Sequence, residues 1–378
     1  MSDELPREWD VVVVGAGVAG AMSALHLARS GLRVLLVEKS AWPREKACGG
    51  CLNAAALHAL ADAGVHLQAG REYARMRLAC NGRSAEFPLP EGLAISRRRL
   101  DATLVGYAIR AGARFVSDTR ASLGGPTRHG REVMLRNHAS EFAVTARVVL
   151  DCGGLAGRLL PDVAWRIAPR ARIGMGTNMA NVPAWYGTGI IHMACAANGY
   201  VGLVRAEDGT ANIAAAVDPD WCSEVGGPAQ AIADILGSAG FPAFEGLRET
   251  RWHGTPHLTR TRLALGAGRV LIMGDAAGYV EPFTGEGMAW AIADAAAVAP
   301  LVREAVAHWD DSIITRWSAL HARHVRGRQR VCRGVSRVLR RPRLLGPALP
   351  TMNFAPALVS PLSAWLNRDF RLHTTVRP

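Results

Sequence analysis

Three glycines and one acid have the types and spacing that bind a dinucleotide. Gly15, Gly17 and Gly20 form a GxGxxG pattern, and Glu38 follows downstream. The first glycine of such a pattern permits a tight turn, the second lets the backbone approach a pyrophosphate, and the third allows a helix to pack closely. Glu38 is placed to accept hydrogen bonds from ribose hydroxyls. Because an acid disfavours a 2′-phosphate, FAD or NAD is favoured over NADP at this site.

The pattern GxGxxG by itself is a weak signal in a chain with 40 glycines and could be an ordinary glycine-rich turn. The elements around these residues support the dinucleotide interpretation. Residues 11–14 are a β-branched run, which predicts a strand buried on both faces. Residues 21–30 predict a helix with small side chains that lies close to a sheet, and Gly31 ends it. Residues 34–37 predict a second strand that delivers Glu38. This order indicates a Rossmann-like unit.

The cysteine pair Cys48-x-x-Cys51, around Gly49 and Gly50, admits three interpretations. A zinc site would need a second ligand pair, and the sequence has no other CxxC or close His/Cys pair. A redox dithiol is the second interpretation, but the pairs of flavin disulfide reductases are spaced more widely. The third is a glycine loop at which backbone approaches a flavin ring, with one cysteine beside it.

Two further buried strands end in glycines where backbone could meet a ligand. Residues 143–151 run into Gly153 and Gly154, and residues 270–273 deliver Gly274 and Asp275. Asp275 can accept hydrogen bonds from sugar or ribityl hydroxyls. The glycine turn that follows opens a helix predicted through residue 309. Its N-terminus could face the negative charge that a reduced flavin carries at N1 and O2.

The middle of the chain has a different pattern. Residues 73–95 predict two strands, and Ser96 is a suitable N-cap for a helix that runs from Arg97 to residue 111. From about residue 166 to 260 longer alternating segments predict hairpins, one of them around residues 207–209. We therefore expect an antiparallel sheet inserted between cofactor-binding segments.

The length and charge of the chain limit its class. A chain of 378 residues can bury a large core and suits two domains. Its N-terminus has no apolar signal region and no segment is long enough to span a membrane, so we expect a cytoplasmic protein. Seven cysteines, an odd number, do not suggest a disulfide scaffold. The net charge of +12 comes from one segment, because residues 312–368 contain eleven arginines and no acid.

That basic segment has two interpretations. Residues 324–343 place Val331, Val335, Val338 and Leu339 on one predicted helical face with arginines around it, and prolines follow. A basic amphipathic helix can lie on an anionic membrane, which would place the protein at a membrane surface, or dock an acidic carrier protein. Alternatively, it caps the core with a solvated arginine face. Nucleic-acid binding is not expected, because no aromatic residues interleave with the basic run.

Across residues 9–310 the chain resembles the FAD-dependent oxidoreductases related to geranylgeranyl reductases, within the class A flavoprotein monooxygenase superfamily that includes p-hydroxybenzoate hydroxylase. The motifs that carry the resemblance are GxGxxG with Glu38, the KACGG loop, Arg97-x-x-Leu-Asp101 and GDAAGYVEPFTGEG. The resemblance implies that Arg97 reaches the FAD pyrophosphate and that Asp275 binds the ribityl chain. Cys48 matches the cysteine that geranylgeranyl reductases place close to the isoalloxazine, which makes it the candidate catalytic residue.

The full set of cofactor-binding residues implied in this way is Gly15, Gly17, Ala19, Gly20, Glu38, Lys39, Cys48, Gly49, Gly50, Arg97, Gly154, Gly274, Asp275, Pro282, Gly285, Glu286, Gly287 and Met288. No metal site is expected.

Two departures from the family bear on function. Hydroxylases carry an Asp-Gly pair where this chain has Gly153-Gly154, which puts NADPH-driven turnover by the usual route in doubt. The YxWxFP segment of prenyl reductases is represented only by Tyr200 to Arg205, without its Trp, Phe and Pro. That change argues against an archaeal-type prenyl substrate. The tryptophan signature and active-site lysine of flavin halogenases are also absent from the sequence.

The predicted architecture is an α/β fold with a discontinuous Rossmann-like FAD-binding domain (residues 1–72, 96–160 and 262–310). An antiparallel β-sheet substrate domain (73–95 and 161–261) is inserted in it, and a basic helical segment (311–378) follows. The leading hypothesis is a monooxygenase or oxidase of an apolar aromatic or polyketide-like molecule, with NAD(P)H as electron donor. The alternatives are FAD-dependent reduction of an isoprenoid or other C=C bond, and a flavin-binding protein without turnover.

Overall fold

The computed structural model describes residues 5–180, 182–242, 245–281, 283, 285–355, 361, 364, 365 and 367. Its strands are β1 (Glu8–Val14), β2 (Val34–Val37), β3 (Cys51–Leu52), β4 (Arg71–Cys80), β5 (Arg83–Ala94), β6 (Arg114–Val116), β7 (Arg120–Pro126), β8 (Arg131–Arg136), β9 (Glu141–Asp151), β10 (Trp165–Ile167), β11 (Ile173–Met179), β12 (Ile190–Ala196), β13 (Gly199–Arg205), β14 (Ala211–Val217), β15 (His253–His257), β16 (Arg260–Arg262), β17 (Gly266–Ala267), β18 (Val270–Ile272) and β19 (Gly278–Tyr279). Its helices are α1 (Val18–Arg29), α2 (Ala54–Asp62), α3 (Arg97–Arg110), α4 (Pro219–Glu224), α5 (Pro228–Ala239), α6 (Gly287–Ala307), α7 (Ser312–Leu339) and α8 (Pro342–Phe354).

The first sheet has a parallel core in the order β6-β2-β1-β9-β18, and β8 and β17 add to it antiparallel. Its central strands are buried on both faces, as expected of a run such as VVVV between layers of helices. Helices α3 and α6 pack on α1. The parallel strands therefore direct the C-terminal ends of β1, β2, β9 and β18 to one edge, where the glycine-rich turns lie.

The second sheet has the order β15-β11-β14-β13-β12-β4-β5-β3. Its pairs are antiparallel except for β4 with β12. The predicted hairpin around residues 207–209 is present between β13 and β14. A small third sheet joins β10, β16 and β19. The mixed α/β architecture predicted from the sequence is confirmed, whereas the proposed domain boundaries stay a prediction.

One predicted helix begins earlier in the structure than expected, and another begins where it was predicted. Helix α1 begins at Val18, three residues before the predicted start, and Gly17 occupies its N-cap. Gly20 therefore belongs to the first turn of the helix. Glycine is needed there because a Cβ would lie 1.8 Å from the carbonyl oxygen of Gly15. Helix α3 begins as predicted, and the Ser96 side chain accepts a hydrogen bond from the Arg99 backbone N–H at 3.2 Å.

The basic C-terminal segment forms two helices rather than one helix over residues 324–343. Helix α7 extends from Ser312 to Leu339, and α8 follows from Pro342, whose missing N–H costs nothing in a first helical turn. The predicted apolar face is partly wrong, because Val338 is 52% exposed. Tertiary contacts anchor α7 instead through buried residues such as Trp317, whose indole N–H donates to the Ile272 carbonyl at 2.9 Å.

Among the helices of the described residues, none combines the length and hydropathy needed to cross a lipid bilayer.

Candidate functional site

A cavity of about 1010 Å³ lies where the glycine-rich edge of the first sheet meets the second sheet. Its walls include the turn after β1, the Cys48–Cys51 loop, the end of β9 and the start of α6. The residues predicted to bind a cofactor that line it are Gly15, Gly17, Ala19, Glu38, Lys39, Cys48, Gly49, Gly50, Arg97, Gly154, Asp275, Gly285, Gly287 and Met288. Segments far apart in the sequence thus meet around one space.

The other four residues predicted to bind the cofactor are not among the described residues that line the cavity. Gly20 and Gly274 are buried behind the wall, where a Cβ on Gly274 would lie 2.8 Å from that of Ala19. The Glu286 side chain turns away from the cavity toward α7. Pro282 lies outside the described residues, so its predicted role is not addressed by the structure.

The glycine turn has the geometry of a phosphate cradle. Gly15 has φ +104° and a Cβ there would lie 2.4 Å from the Cys152 carbonyl oxygen, so only glycine fits. A Cβ on Gly17, by contrast, would make ordinary van der Waals contacts, 3.5 Å from Arg44 Nη2 and 3.6 Å from Arg97 Nη2. An anion at the N-terminus of α1 would therefore lie within reach of two guanidinium groups.

Glu38 is held as a carboxylate at the edge of this cradle. Its oxygens accept hydrogen bonds from the backbone N–H groups of Ala16 (3.0 Å) and Ser40 (3.1 Å), and Arg44 Nε lies at 3.2 Å. Burial alone would raise the pKa of Glu38, but the Arg44 charge and the backbone donors outweigh burial and lower it. The side chain is therefore ionised and oriented as an acceptor for hydroxyl groups.

Arg44 and Lys46 are site residues that sequence reasoning missed. Arg44 bridges Glu38 and Asp101, with 3.1 Å between Arg44 Nη1 and Asp101 Oδ2. Lys46 Nζ lies 3.9 Å from Asp275 Oδ2. Burial lowers the pKa of Lys46 and the nearby Arg97 charge lowers it further, with Asp275 opposing. An anionic ligand would offset this repulsion between cations. The sequence did contain a signal for the role of Lys46, because Lys39 and Lys46 are the chain's two lysines and both flank this loop.

Arg97 joins the cradle to the cysteine loop. Its Nη2 lies 3.0 Å from each carboxylate oxygen of Asp101, and its charge lies near the side chain of Cys48. Burial alone would lower the pKa of Arg97, but the Asp101 charge raises it. Arg97 is thus a fixed cation beside the Cys48 sulfur, while Cys51 donates to the Gly49 carbonyl at 3.3 Å. Burial raises the pKa of Cys51, so this second thiol stays protonated.

Beyond Cys48 the cavity extends along the second sheet as an apolar arm. We use this name for the part of the wall formed by Tyr73, Met76, Phe87, Leu89, Pro90, Ile191, Met193, Tyr200, Val204, Leu258, Phe283 and Val335. The Tyr200 hydroxyl has no hydrogen-bond partner among the described residues. Burial raises the pKa of Tyr200, and the Glu281 charge raises it further. The arm therefore offers a largely apolar channel with a neutral phenol in its wall.

The segment between β19 and α6 is held at both ends by α7. Near the start of the segment, Glu281 accepts hydrogen bonds from Ser336 Oγ (2.8 Å) and Arg340 Nη2 (2.5 Å). At its end, Glu286 accepts from Arg328 Nη1 (2.6 Å) and from the Cys332 thiol (3.4 Å). The basic helix is therefore part of the support of the cavity wall.

The strand end after β9 carries a buried acid. Asp151 Oδ1 accepts a hydrogen bond from the Gly153 backbone N–H at 3.0 Å, and burial raises the pKa of Asp151, with Arg262 opposing. A Cβ on Gly153 would lie 2.9 Å from the Gly157 Cα and 3.0 Å from Asp151 Oδ1. Any larger residue here would need both neighbours to move. The described residues contain no group of three or more His, Cys, Asp or Glu that could hold a metal ion.

A family model described as the FAD binding domain matches residues 8–181 and 228–331, which is most of the chain. The chain belongs to this FAD-binding domain family. The site fits the cofactor, because a glycine cradle, a hydroxyl acceptor and a cluster of cations surround one cavity. The resemblance to FAD-dependent proteins drawn from the sequence is confirmed at the level of this FAD-binding family.

Sequence relatives of this FAD-binding protein include reductases. A menaquinone reductase of Mycolicibacterium smegmatis is 33% identical over 156 residues, which cover 39% of this chain and 35% of that protein. The chain thus spans about a third of the length of this relative. A digeranylgeranylglycerophospholipid reductase 2 of Methanothermobacter thermautotrophicus is 25% identical over 303 residues, 74% of each chain.

The similar solved structures belong to proteins whose names describe different activities. The flavin-dependent brominase Bmp2 has a TM-score of 0.76 at 15% identity, with 95% of this chain and 93% of that chain covered. A geranylgeranyl bacteriochlorophyll reductase-like protein from Thermoplasma acidophilum has a TM-score of 0.75 at 18% identity, with 92% of each covered. At such low identity the likeness establishes the fold.

Proposed function

We propose that this FAD-binding protein is an oxidoreductase that reduces a C=C bond in an isoprenoid or similarly apolar chain. The observation that carries the proposal is the continuity of the cavity, which passes from the glycine cradle along Cys48 into the apolar arm. A long apolar substrate would extend in the arm with one carbon pair beside the cysteine loop. The names of two relatives, a menaquinone reductase and a digeranylgeranylglycerophospholipid reductase, support a reductase of an apolar substrate.

FAD would be held at its pyrophosphate by Gly15, Gly17 and the cations Arg44, Lys46 and Arg97, and at its ribose by Glu38. Asp275 would accept hydrogen bonds from the ribityl hydroxyls, and the N-terminus of α6 would favour negative charge on the reduced flavin. When bound and reduced, the flavin supplies a hydride to carbon. NAD(P)H is the proposed source of the two electrons.

The chain's own chemistry in this proposal is the transfer of one proton. Cys48 gives its S–H proton to the alkene carbon that does not receive the hydride. The thiolate left on Cys48 is stabilised by the positive charge of the nearby Arg97 guanidinium. A proton from solvent restores the thiol, so one hydride and one proton are added in each turnover. The apolar arm orients the chain and excludes water.

The experiment is an anaerobic single turnover of the dithionite-reduced holoprotein with a menaquinone that has an unsaturated isoprenoid side chain. The expected result is reoxidised flavin and a product that stays two mass units heavier than the menaquinone after its ring has been reoxidised in air, because that step reverses reduction of the quinone ring but not of a C=C bond. If the flavin stays reduced in the absence of oxygen with this quinone and with geranylgeranyl lipids, the proposed reduction is wrong.

A monooxygenase is the second candidate, favoured by the water-excluding lining of the apolar arm, which would also protect an oxygen-transfer reaction. The same turnover repeated in air distinguishes the two. A substrate-dependent uptake of oxygen with a product gaining one oxygen atom would establish the monooxygenase in place of the reductase.

A further inference from the structure

Helix α7 presents a row of arginines to solvent. Arg323, Arg326, Arg330 and Arg337 are all exposed. At 3.6 residues per turn their spacing places them within an arc of about 60° along about 21 Å of helix. We call these four residues the arginine stripe. The opposite face of α7, which includes Val325 and Cys332, is buried against the protein.

Exposed apolar side chains and further arginines follow the stripe along the chain. Val338 follows Arg337 directly, and Leu344 and Phe354 on α8 are 60% and 91% exposed. Arg341 and Arg343 between them are also exposed. Since residues 312–368 contain no acid, nothing in this segment neutralises the positive charge locally. Arginines bordered by exposed Phe, Leu and Val are typical of surfaces that lie in a bilayer interface.

The same helix forms a wall of the cavity. Val335 on α7 lines the apolar arm, and α8 packs on β4 and β5, whose residues Phe87 and Leu89 line the arm as well. Helix α7 therefore carries the arginines on one side and contributes to the apolar arm on another, and α8 supports the strand that lines the arm.

We infer that the arginine stripe, with Val338, Leu344 and Phe354, docks the protein on the surface of an anionic phospholipid membrane. Anionic headgroups pair with the arginines, while the three apolar side chains enter the interface. The combination favours a lipid surface over an acidic protein, because the charge complementarity extends along a straight row and ends in apolar residues. This surface goes beyond the proposed reduction and is tested without any substrate.

The test is co-sedimentation of the full-length holoprotein with vesicles of phosphatidylcholine and phosphatidylglycerol. Binding is expected at low salt, with much weaker binding to pure phosphatidylcholine and loss of binding as NaCl screens the charges. The variant Arg323→Gln/Arg330→Gln/Arg337→Gln should lower the partition coefficient by about a hundredfold, at about fivefold per arginine. Phe354→Ser should lower it by about tenfold.

The matched control is Arg114→Gln/Arg128→Gln/Arg136→Gln, which removes the same charge from exposed positions elsewhere. It should bind anionic vesicles within about threefold of the unaltered protein. Flavin content and absorbance, measured for each variant, establish that it is folded. Failure of the unaltered protein to bind anionic vesicles, or an equal loss in the control, would overturn the inference. Binding to an acidic acyl carrier protein without binding to vesicles would also overturn it.

Discussion

Cys48 is the residue at which the chemical alternatives separate. Its side chain lies in the wall of the cavity near the charge of Arg97, whereas Cys51 donates to the Gly49 carbonyl and has a raised pKa caused by burial. These different surroundings suit a single reactive thiol better than a dithiol, since a disulfide partner must also form a thiolate.

Replacing Cys48 by Ser should slow the proposed reduction about a hundredfold, because a hydroxyl is a much weaker proton donor than a thiol. The dissociation constant of FAD should change little. The measurement is the rate of anaerobic flavin reoxidation by substrate. Cys51→Ser should retain most of that rate. Equal losses in both variants would favour a redox dithiol, and full activity of Cys48→Ser would remove the thiol from the mechanism.

Lys46 is expected to contribute to the affinity for FAD. Its pKa is lowered by burial and by Arg97, and the negative pyrophosphate would restore a favourable charge balance. Lys46→Met should therefore weaken FAD binding about tenfold, as measured by fluorescence titration of the apoprotein. Arg99→Met, an exposed position on α3, is the control and should leave the affinity unchanged. An unaltered affinity in Lys46→Met would show that the lysine does not contact the cofactor.

At the scale of elements, α7 both carries the arginine stripe and holds the segment that leads into α6. Arg328 is paired with Glu286 in a buried position, with side chains 10% and 0% exposed. Burial raises the pKa of Glu286, and the Arg328 charge opposes that effect. Each group is therefore tolerated because the other is present.

Arg328→Gln should lower the free energy of unfolding by about 3 kcal/mol, because Glu286 is left buried without its ion-pair partner. Adding Glu286→Gln should recover more than half of that loss. Chemical denaturation of the holoproteins measures both values. Arg326→Gln, on the exposed side of the same helix, should change the free energy by less than about 0.5 kcal/mol. A double variant no more stable than Arg328→Gln would mean that the pair is not coupled.

At the scale of the whole molecule, a buried histidine in the second sheet is expected to make the free energy of unfolding depend on pH. His192 on β12 is 2% exposed among Trp185, Tyr186 and Phe241. Burial, and then the charge of Arg77, lower the pKa of His192 from 6.5 to about 4. The folded protein therefore keeps His192 neutral while the unfolded chain takes up a proton below about pH 6.5.

The stability due to neutral His192 is fully present above pH 6.5 and is lost as the pH falls toward 4, by about 3 kcal/mol. His192→Phe retains an aromatic ring and should flatten this part of the profile. The free energy of unfolding measured between pH 7 and 4 tests the expectation. Parallel profiles for the two proteins would show that His192 does not titrate in this range.

Local chemistry allowed the glycine turn, its flanking strands and Glu38 to be predicted from the sequence. The close approach at Gly15 involves Cys152, whereas Gly20 is required by a contact within one short unit, so that part of the pattern is readable without the rest of the fold. The same holds for Ser96, whose capping role depends on residues three positions away. The family and the architecture followed from several such local units in order.

Only the tertiary structure decided which side chains share the cavity and what α7 does. Arg44 and Lys46 gain their roles from Asp101 and Asp275, which are distant in sequence. Val338 proved exposed because the packing partners of α7, rather than its own apolar pattern, determine which face is buried. The spacing of apolar residues predicts which face a helix could bury. Which face is buried, and which ion pairs form, depends on the surfaces that surround the helix. The sequence by itself therefore determined the cofactor fold, and packing between distant segments decided the shape of the site and the direction of the arginine stripe.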